Sequence, residues 1–215
     1  MSDIFREIDE ELRRDNLLKL WSQYGRYIVA LAVAALLVAG GVVAWRDHQL
    51  SERQAQSTRF AGALELAAAG KPADAEKVFG LIARDGGGGY AVLASFEQAG
   101  LLAKSGDRKA AAAAYDRIAA TSGVGSAFHD LAVLLSVMQS MPSADPHAVL
   151  ARLAPLTGAG NPWRPTALEL SAAARLQAGD KKGAVELYKS LADDLTAPPT
   201  LRARAAEMAT ALAPS

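Results

Sequence analysis

The sequence predicts an all-α chain: a single N-terminal transmembrane helix, then an α-solenoid of about four helix pairs closed by a capping helix. Three observations carry that prediction. An apolar run of 19 residues without a charge, Tyr27 to Trp45, lies near the start. After it, a small, a large and an aliphatic residue recur at fixed spacing in four segments, set 36, 38 and 35 residues apart. Glycine- and proline-rich breakers separate those segments.

The first element covers residues 1–26. Ile4, Phe5, Ile8 and Leu12 recur at helical spacing, with Arg6, Glu7, Asp9, Glu10 and Glu11 between them. Ser2 or Asp3 is placed to cap this helix, and Leu17, Leu18 and Trp21 continue its apolar character. Two roles fit such a segment in the cytoplasm: an amphipathic helix lying on the inner leaflet, or a docking helix for a cytoplasmic partner. The acidic residues weaken adhesion to anionic lipid and leave both open.

The second element is the apolar run itself, residues 27–45. At 1.5 Å per residue it reaches roughly 28 Å, the hydrocarbon thickness of a bilayer. Arg26 and Arg46 bracket it, and Tyr24, Tyr27 and Trp45 mark its ends, where amphipathic rings favour the headgroup level. A core helix of a globular protein would keep a polar face over such a length. A cleaved signal peptide would have a shorter apolar region, 7 to 15 residues after a basic start. Bulky Val42, Val43 and Trp45 follow the small residues Ala39, Gly40 and Gly41 without a break, so the reading is an uncleaved signal anchor. Arg13, Arg14, Lys19 and Arg26 precede it, against Arg46, Arg53 and Arg59 after it. That four-to-three bias places the N-terminus inside and the C-terminal domain outside. Gly40 with Ala44, and Ala35 with Ala39, add small-xxx-small spacings that allow close helix contact.

The third element, residues 46–215, opens with a helical stretch from about Asp47 to Ala69 and then repeats. The segments "GKPADAEKVFGLI" from Gly70, "GDRKAAAAAYDRI" from Gly106, "ADPHAVLARLAPL" from Ala144 and "GDKKGAVELYKSL" from Gly179 align. Their small or branched residues are Ala75, Ala111, Val149 and Ala184. Their large ones are Phe79, Tyr115, Leu153 and Tyr188, and their aliphatics Ile82, Ile118, Leu156 and Leu191. The three positions fall at i, i+4 and i+7, on one helical stripe. The small residue lets a neighbouring helix approach and the large one fills the gap beside it. Gly70, Gly106 and Gly179 end the preceding helix, Asp107 and Asp180 cap the next, and Pro146 follows Asp145 as a first helical residue. Between repeats lie "DGGGGY" at 85–90, "TSGVGS" at 121–126, "GAGNPWRP" at 158–165 and "APP" at 197–199. A last amphipathic helix, Thr200 to Leu212, covers the open end, as solenoids require.

This pattern resembles the tetratricopeptide repeat, with Gly-Asp at the inner turn and Ala, then Tyr or Phe, in the second helix. The second and fourth segments follow it closely. Lys71-Pro72 replaces Gly-Asp in the first, and the third has neither the turn glycine nor the aromatic. The whole layout, from "SDIFREIDEELRRDNLLKLWSQYGRY" through the membrane helix ending Ala44-Trp45-Arg46 to a repeat domain of about 160 residues, resembles the ancillary subunit family of the bacterial SecYEG translocon. That resemblance implies a single-pass inner-membrane protein with a periplasmic repeat domain. Its implied partners are Sec translocon subunits and periplasmic chaperones or emerging client polypeptides.

Composition narrows the chemistry. About half of the 215 residues are apolar, too many for a disordered chain. There is no cysteine, which excludes disulfides, thiolate catalysis and Cys-based metal sites. Lysine plus arginine equals aspartate plus glutamate at 23 each, so the general attraction that nucleic-acid binders use is missing. His48, His129 and His147 lie far apart without metal-ligand spacing. "DGGGGY" lacks the Gly-Lys-Ser/Thr ending of a phosphate loop, and "GVG" and "GAG" lack the third glycine of a dinucleotide fingerprint. The expectation is a non-enzymatic protein with no cofactor, no metal, no nucleic acid and no small-molecule substrate. What remains is protein binding. By analogy with the repeat, the first helix of each pair lines the concave surface. Registering from the turns places Phe60, Leu64, Phe96, Lys104, Glu169, Leu176 and Gln177 there as a candidate groove. A scaffold for another envelope assembly, such as division or cell-wall machinery, is the alternative.

Overall fold

The computed structural model describes residues 2–85 and 88–213, with side chains from Trp21 onward apart from Ser22, Ile28 and Ala32. Those residues form nine α-helices and one short 3-10 segment, with no strand among them. They fall into two compact units, Met1–Ala55 and Gln56–Ser215.

The described residues of the first unit are all helical and belong to α1, Ser2–Ala68. No proline interrupts it, and Gly25, Gly40 and Gly41 do not break it. The segment is long and apolar enough to cross a membrane, and none of its most apolar window is buried. Leu31, Leu36 and Leu37 are each more than 70% exposed (73%, 73% and 72%). Unpartnered leucines to that extent are costly in water and favourable in hydrocarbon. Arg26 lies 4.8 Å from the centre of the Tyr27 ring and donates to its hydroxyl at 3.0 Å, a polar cluster where the apolar run begins. The proposed apolar face of Ile4, Phe5, Ile8 and Leu12, and the Ser2 or Asp3 cap, lie outside the described side chains.

The second unit is built from antiparallel helix pairs. The end of α1 pairs with α2 (Pro72–Asp85), α3 (Gly89–Lys104) with α4 (Arg108–Ala120), α5 (Ser126–Ser140) with α6 (Pro146–Leu153), and α7 (Arg164–Gln177) with α8 (Lys181–Asp193). The last helix, α9 (Pro199–Ala211), packs on α8 and closes the array. Each recurrent stripe is the inner face of a second helix. Ala75, Phe79 and Ile82 are buried, as are Ala111, Tyr115 and Ile118, and Ala184, Tyr188 and Leu191.

The tight turns of the first, second and fourth pairs share one backbone pattern. Gly70, Gly106 and Gly179 adopt φ of 74°, 88° and 81°. The amide after each closes a six-residue ring onto the preceding helix: Lys71 to the Leu66 carbonyl (3.0 Å), Asp107 to Leu102 (3.1 Å) and Asp180 to Arg175 (2.9 Å). This satisfies carbonyls that a helix end leaves orphaned. The Asp107 carboxylate then accepts from Ala110 N at 2.9 Å, and that of Asp180 from Gly183 N at 2.8 Å. Asp145 caps α6 by accepting from His147 N at 3.2 Å, with Pro146 in the first helical position.

The third pair departs from the others. α6 is only eight residues long and passes into the 3-10 segment Ala154–Thr157, which contains Pro155. Proline lacks the amide that the next α-helical bond needs. The stripe survives the change: Val149, Leu153 and Leu156 are 2%, 0% and 2% exposed. The core is therefore four successive clusters, each shared between one pair and the first helix of the next.

Candidate protein-binding surface

The proposed groove residues fall in three sets on α1, α3 and α7. Phe60 packs against the first cluster. Its ring centre lies 5.4 Å from that of Phe79 and 5.7 Å from that of Tyr90. Leu64, one turn on, is exposed. Phe96 supports the second cluster, 6.0 Å from Tyr115 and 6.1 Å from Phe128. Lys104 is exposed at the end of α3. Leu176 packs against the fourth cluster. Gln177 is exposed and donates to the Met141 carbonyl at 3.4 Å. Glu169 accepts a forked pair from Arg204 of α9, Nε at 3.0 Å and Nη2 at 2.9 Å.

The seven thus divide by task. Phe60, Phe96 and Leu176 hold first helices against second helices. Glu169 is engaged by α9. Leu64, Lys104 and Gln177 are exposed.

The structure adds two residues that the sequence reading did not name. Phe128 opens α5 and is 44% exposed although one face of its ring meets Phe96. Leu93, in the first turns of α3, is 39% exposed. With Val92 and Val124 they line a cavity of about 480 Å³ between the loops at Gly88–Gly89 and 121–125, and among the described residues no charged side chain borders it. An aliphatic or aromatic side chain of a partner fits such a lining. α5 belongs to the pair whose pattern is weakest, so registration from the turns had no anchor there. The available signal was the lone aromatic of α5 itself.

Burial pushes the Tyr115 and Tyr188 hydroxyls above the usual phenol range, with Glu97 and Glu169 adding to it. Both stay protonated at ordinary pH. Asp194 is held below the usual carboxylate range by the Thr196 hydroxyl (2.6 Å) and amide (2.9 Å), and then by Arg164. His129 Nδ1 lies 2.9 Å from Asp130, whose other oxygen accepts from Asn161 at 2.7 Å. Trp163 Nε1 donates to the Ala127 carbonyl at 2.8 Å. Together these tie the 158–163 loop to the start of α5.

A family profile described as a tetratricopeptide repeat-like domain matches residues 19–189. The chain belongs to that family. No curated protein and no solved structure matches it at a significant level. For a tetratricopeptide repeat-like domain the expected work is protein–protein interaction, and the match reaches upstream to include the apolar segment of α1.

Proposed function

We propose that this chain is a non-enzymatic, membrane-anchored protein-interaction module, accessory to the Sec translocon and linking it to periplasmic chaperones or emerging clients. The observation that carries the reading is one apolar helix joined in sequence to a tetratricopeptide repeat-like domain. The layout of the full sequence supports the choice of assembly. In this reading the N-terminus is cytoplasmic, α1 crosses the inner membrane once, and the repeat domain works in the periplasm. Leu64, Lys104 and Gln177, with the Leu93–Phe128 cavity, contact the partner. Anchoring raises the local concentration of the domain at the membrane, so modest affinities suffice.

Crosslinking in native membranes followed by copurification tests the assembly, and recovery of translocon subunits is expected. Recovery of division or cell-wall proteins without them overturns the choice and favours the scaffold alternative. Orientation has a separate test. Protease added outside spheroplasts should digest the repeat domain; if the domain survives while control periplasmic domains are cut, the N-terminus lies outside.

A further inference from the structure

Leu195, in the loop between α8 and α9, is 82% exposed, the most of any large apolar side chain among the described residues. A lone exposed leucine signifies little by itself. This one is held out by an ordered turn. The Thr196 hydroxyl and amide donate to one oxygen of the Asp194 carboxylate, and Arg164 donates to the other. The Ala197 amide closes onto the Asp194 carbonyl at 3.0 Å. Ala197 is buried, and Pro198 and Pro199 follow it. The leucine is therefore fixed on both sides before any contact forms, which lowers the ordering cost of binding.

In an antiparallel array the loops between pairs share one edge, opposite the tight turns. Leu195 and the Leu93–Phe128 cavity therefore lie on the same edge. The pairs α5–α6 and α7–α8 stand between them, so the leucine does not reach the cavity of its own chain. The cavity is lined by Val92, Leu93, Val124 and Phe128, and its volume of about 480 Å³ suits an apolar side chain with its flanking backbone. Charge matches as well. Asp193, two residues before Leu195, is exposed, and so is Arg117, in the last turn of α4 before the 121–125 loop. Neither forms an ion pair among the described residues. Lys189 stands a turn further from the leucine and is not paired with Asp193.

We propose that a second copy of this chain covers the cavity. Leu195 of each copy seats among Val92, Leu93, Val124 and Phe128 of the other, with Asp193 set against Arg117. A protruding side chain and its receptor on one edge are what a two-fold arrangement needs: each contact is made twice and the pair closes. Two loop contacts bury less than a permanent interface does, so the dimer is reversible. The same cavity serves a partner in the interaction-module reading, so a partner and a second copy exclude one another there. That competition rests on the interaction-module reading; self-association does not.

The chain has no cysteine, so introduced cysteines report cleanly. Two differently tagged full-length chains, one with Leu195→Cys and one with Val124→Cys, are expressed together in cells and oxidised. Disulfides joining the two tags are expected severalfold above those of a control pair, Leu195→Cys with Ser105→Cys on the opposite edge. The dimer fraction of the detergent-solubilised full chain is then read by sedimentation. Leu195→Asp should raise the dissociation constant about tenfold or more. Its melting temperature should stay unchanged, because residue 195 lies outside the core. Leu195→Met should keep the dimer. Asp193→Arg should weaken it, and adding Arg117→Asp should restore it. A mixed disulfide no commoner than the control overturns the proposal. So does a dimer that survives Leu195→Asp, which would place self-association elsewhere, such as on the apolar segment of α1. Capture of the Val124→Cys chain by other proteins alone also overturns it and leaves the cavity to a partner. None of these results bears on the Sec reading, which copurification tests separately.

Discussion

Phe79 and Phe128 are both phenylalanines of the repeat domain, and their burial assigns them different work. Phe79 is fully buried between Phe60, Ala63 and Ala94. Phe79→Ala is expected to destabilise the domain by about 3–5 kcal/mol in chemical denaturation, through lost transfer energy and the cavity left behind. Phe128→Ala, at a half-exposed position, should cost less than about 1 kcal/mol, and partner crosslinking from the Leu93 cavity should weaken instead. Ala111 is 0% exposed, so Ala111→Leu should cost about 1–3 kcal/mol by overpacking, although leucine is a good helix former. Asp107→Ala should cost about 1 kcal/mol by freeing the amide of Ala110. The buried stripes were legible in the sequence because each combines a helical period with a fixed size order. Phe128 was not: its exposure depends on a cavity made by two glycine-rich loops, and no spacing encodes that.

At the scale of elements, the turns and caps were legible and the third pair was only partly so. Gly-Asp specifies both a left-handed residue and a cap, so Gly106-Asp107 and Gly179-Asp180 could be placed at once. Pro155 ends α6 and forces the 3-10 segment, while the buried positions persist because 153 and 156 remain one turn apart in either helix type. Ties between elements are legible only in space. Arg152 joins α6 to Asp116 of α4 and to the buried Ser136 of α5 at 3.2 Å, and Asp194 joins Thr196 to Arg164. Asp180 is lowered by the Gly183 amide and then by Arg175, and Asp194 by Thr196 and then by Arg164. A lowered folded-state value stabilises the native form above the unfolded value, about pH 4 for aspartate, and that contribution vanishes as pH falls through the folded value. Melting temperature should therefore be insensitive to these two groups between about pH 5 and 8 and should drop in stronger acid. Asp194→Asn should reduce the size of that drop.

For the molecule as a whole, the segmented core makes the repeat domain a chain of nearest-neighbour contacts. Deleting residues 198–215 removes Leu201, Ala205 and Ala209 from the fourth cluster. Amide exchange in α7 and α8 should accelerate strongly, while α2 and α3 stay near their original protection. The all-helical class, the four pairs and a helix long and apolar enough to cross a membrane could be read from periodicity and length. The continuity of α1 could not, because segments with three different surface characters share one helix. The functional account is tested most directly by a photocrosslinking amino acid placed singly at Leu64, Lys104, Phe128 or Gln177 in cells, with Leu81 and Glu186 on second helices as controls. Adducts with translocon subunits, chaperones or translocating polypeptides at the first set, and not at the controls, are the predicted result. Equal labelling at both sets, or discrete adducts with division or cell-wall proteins in place of these, would contradict the account.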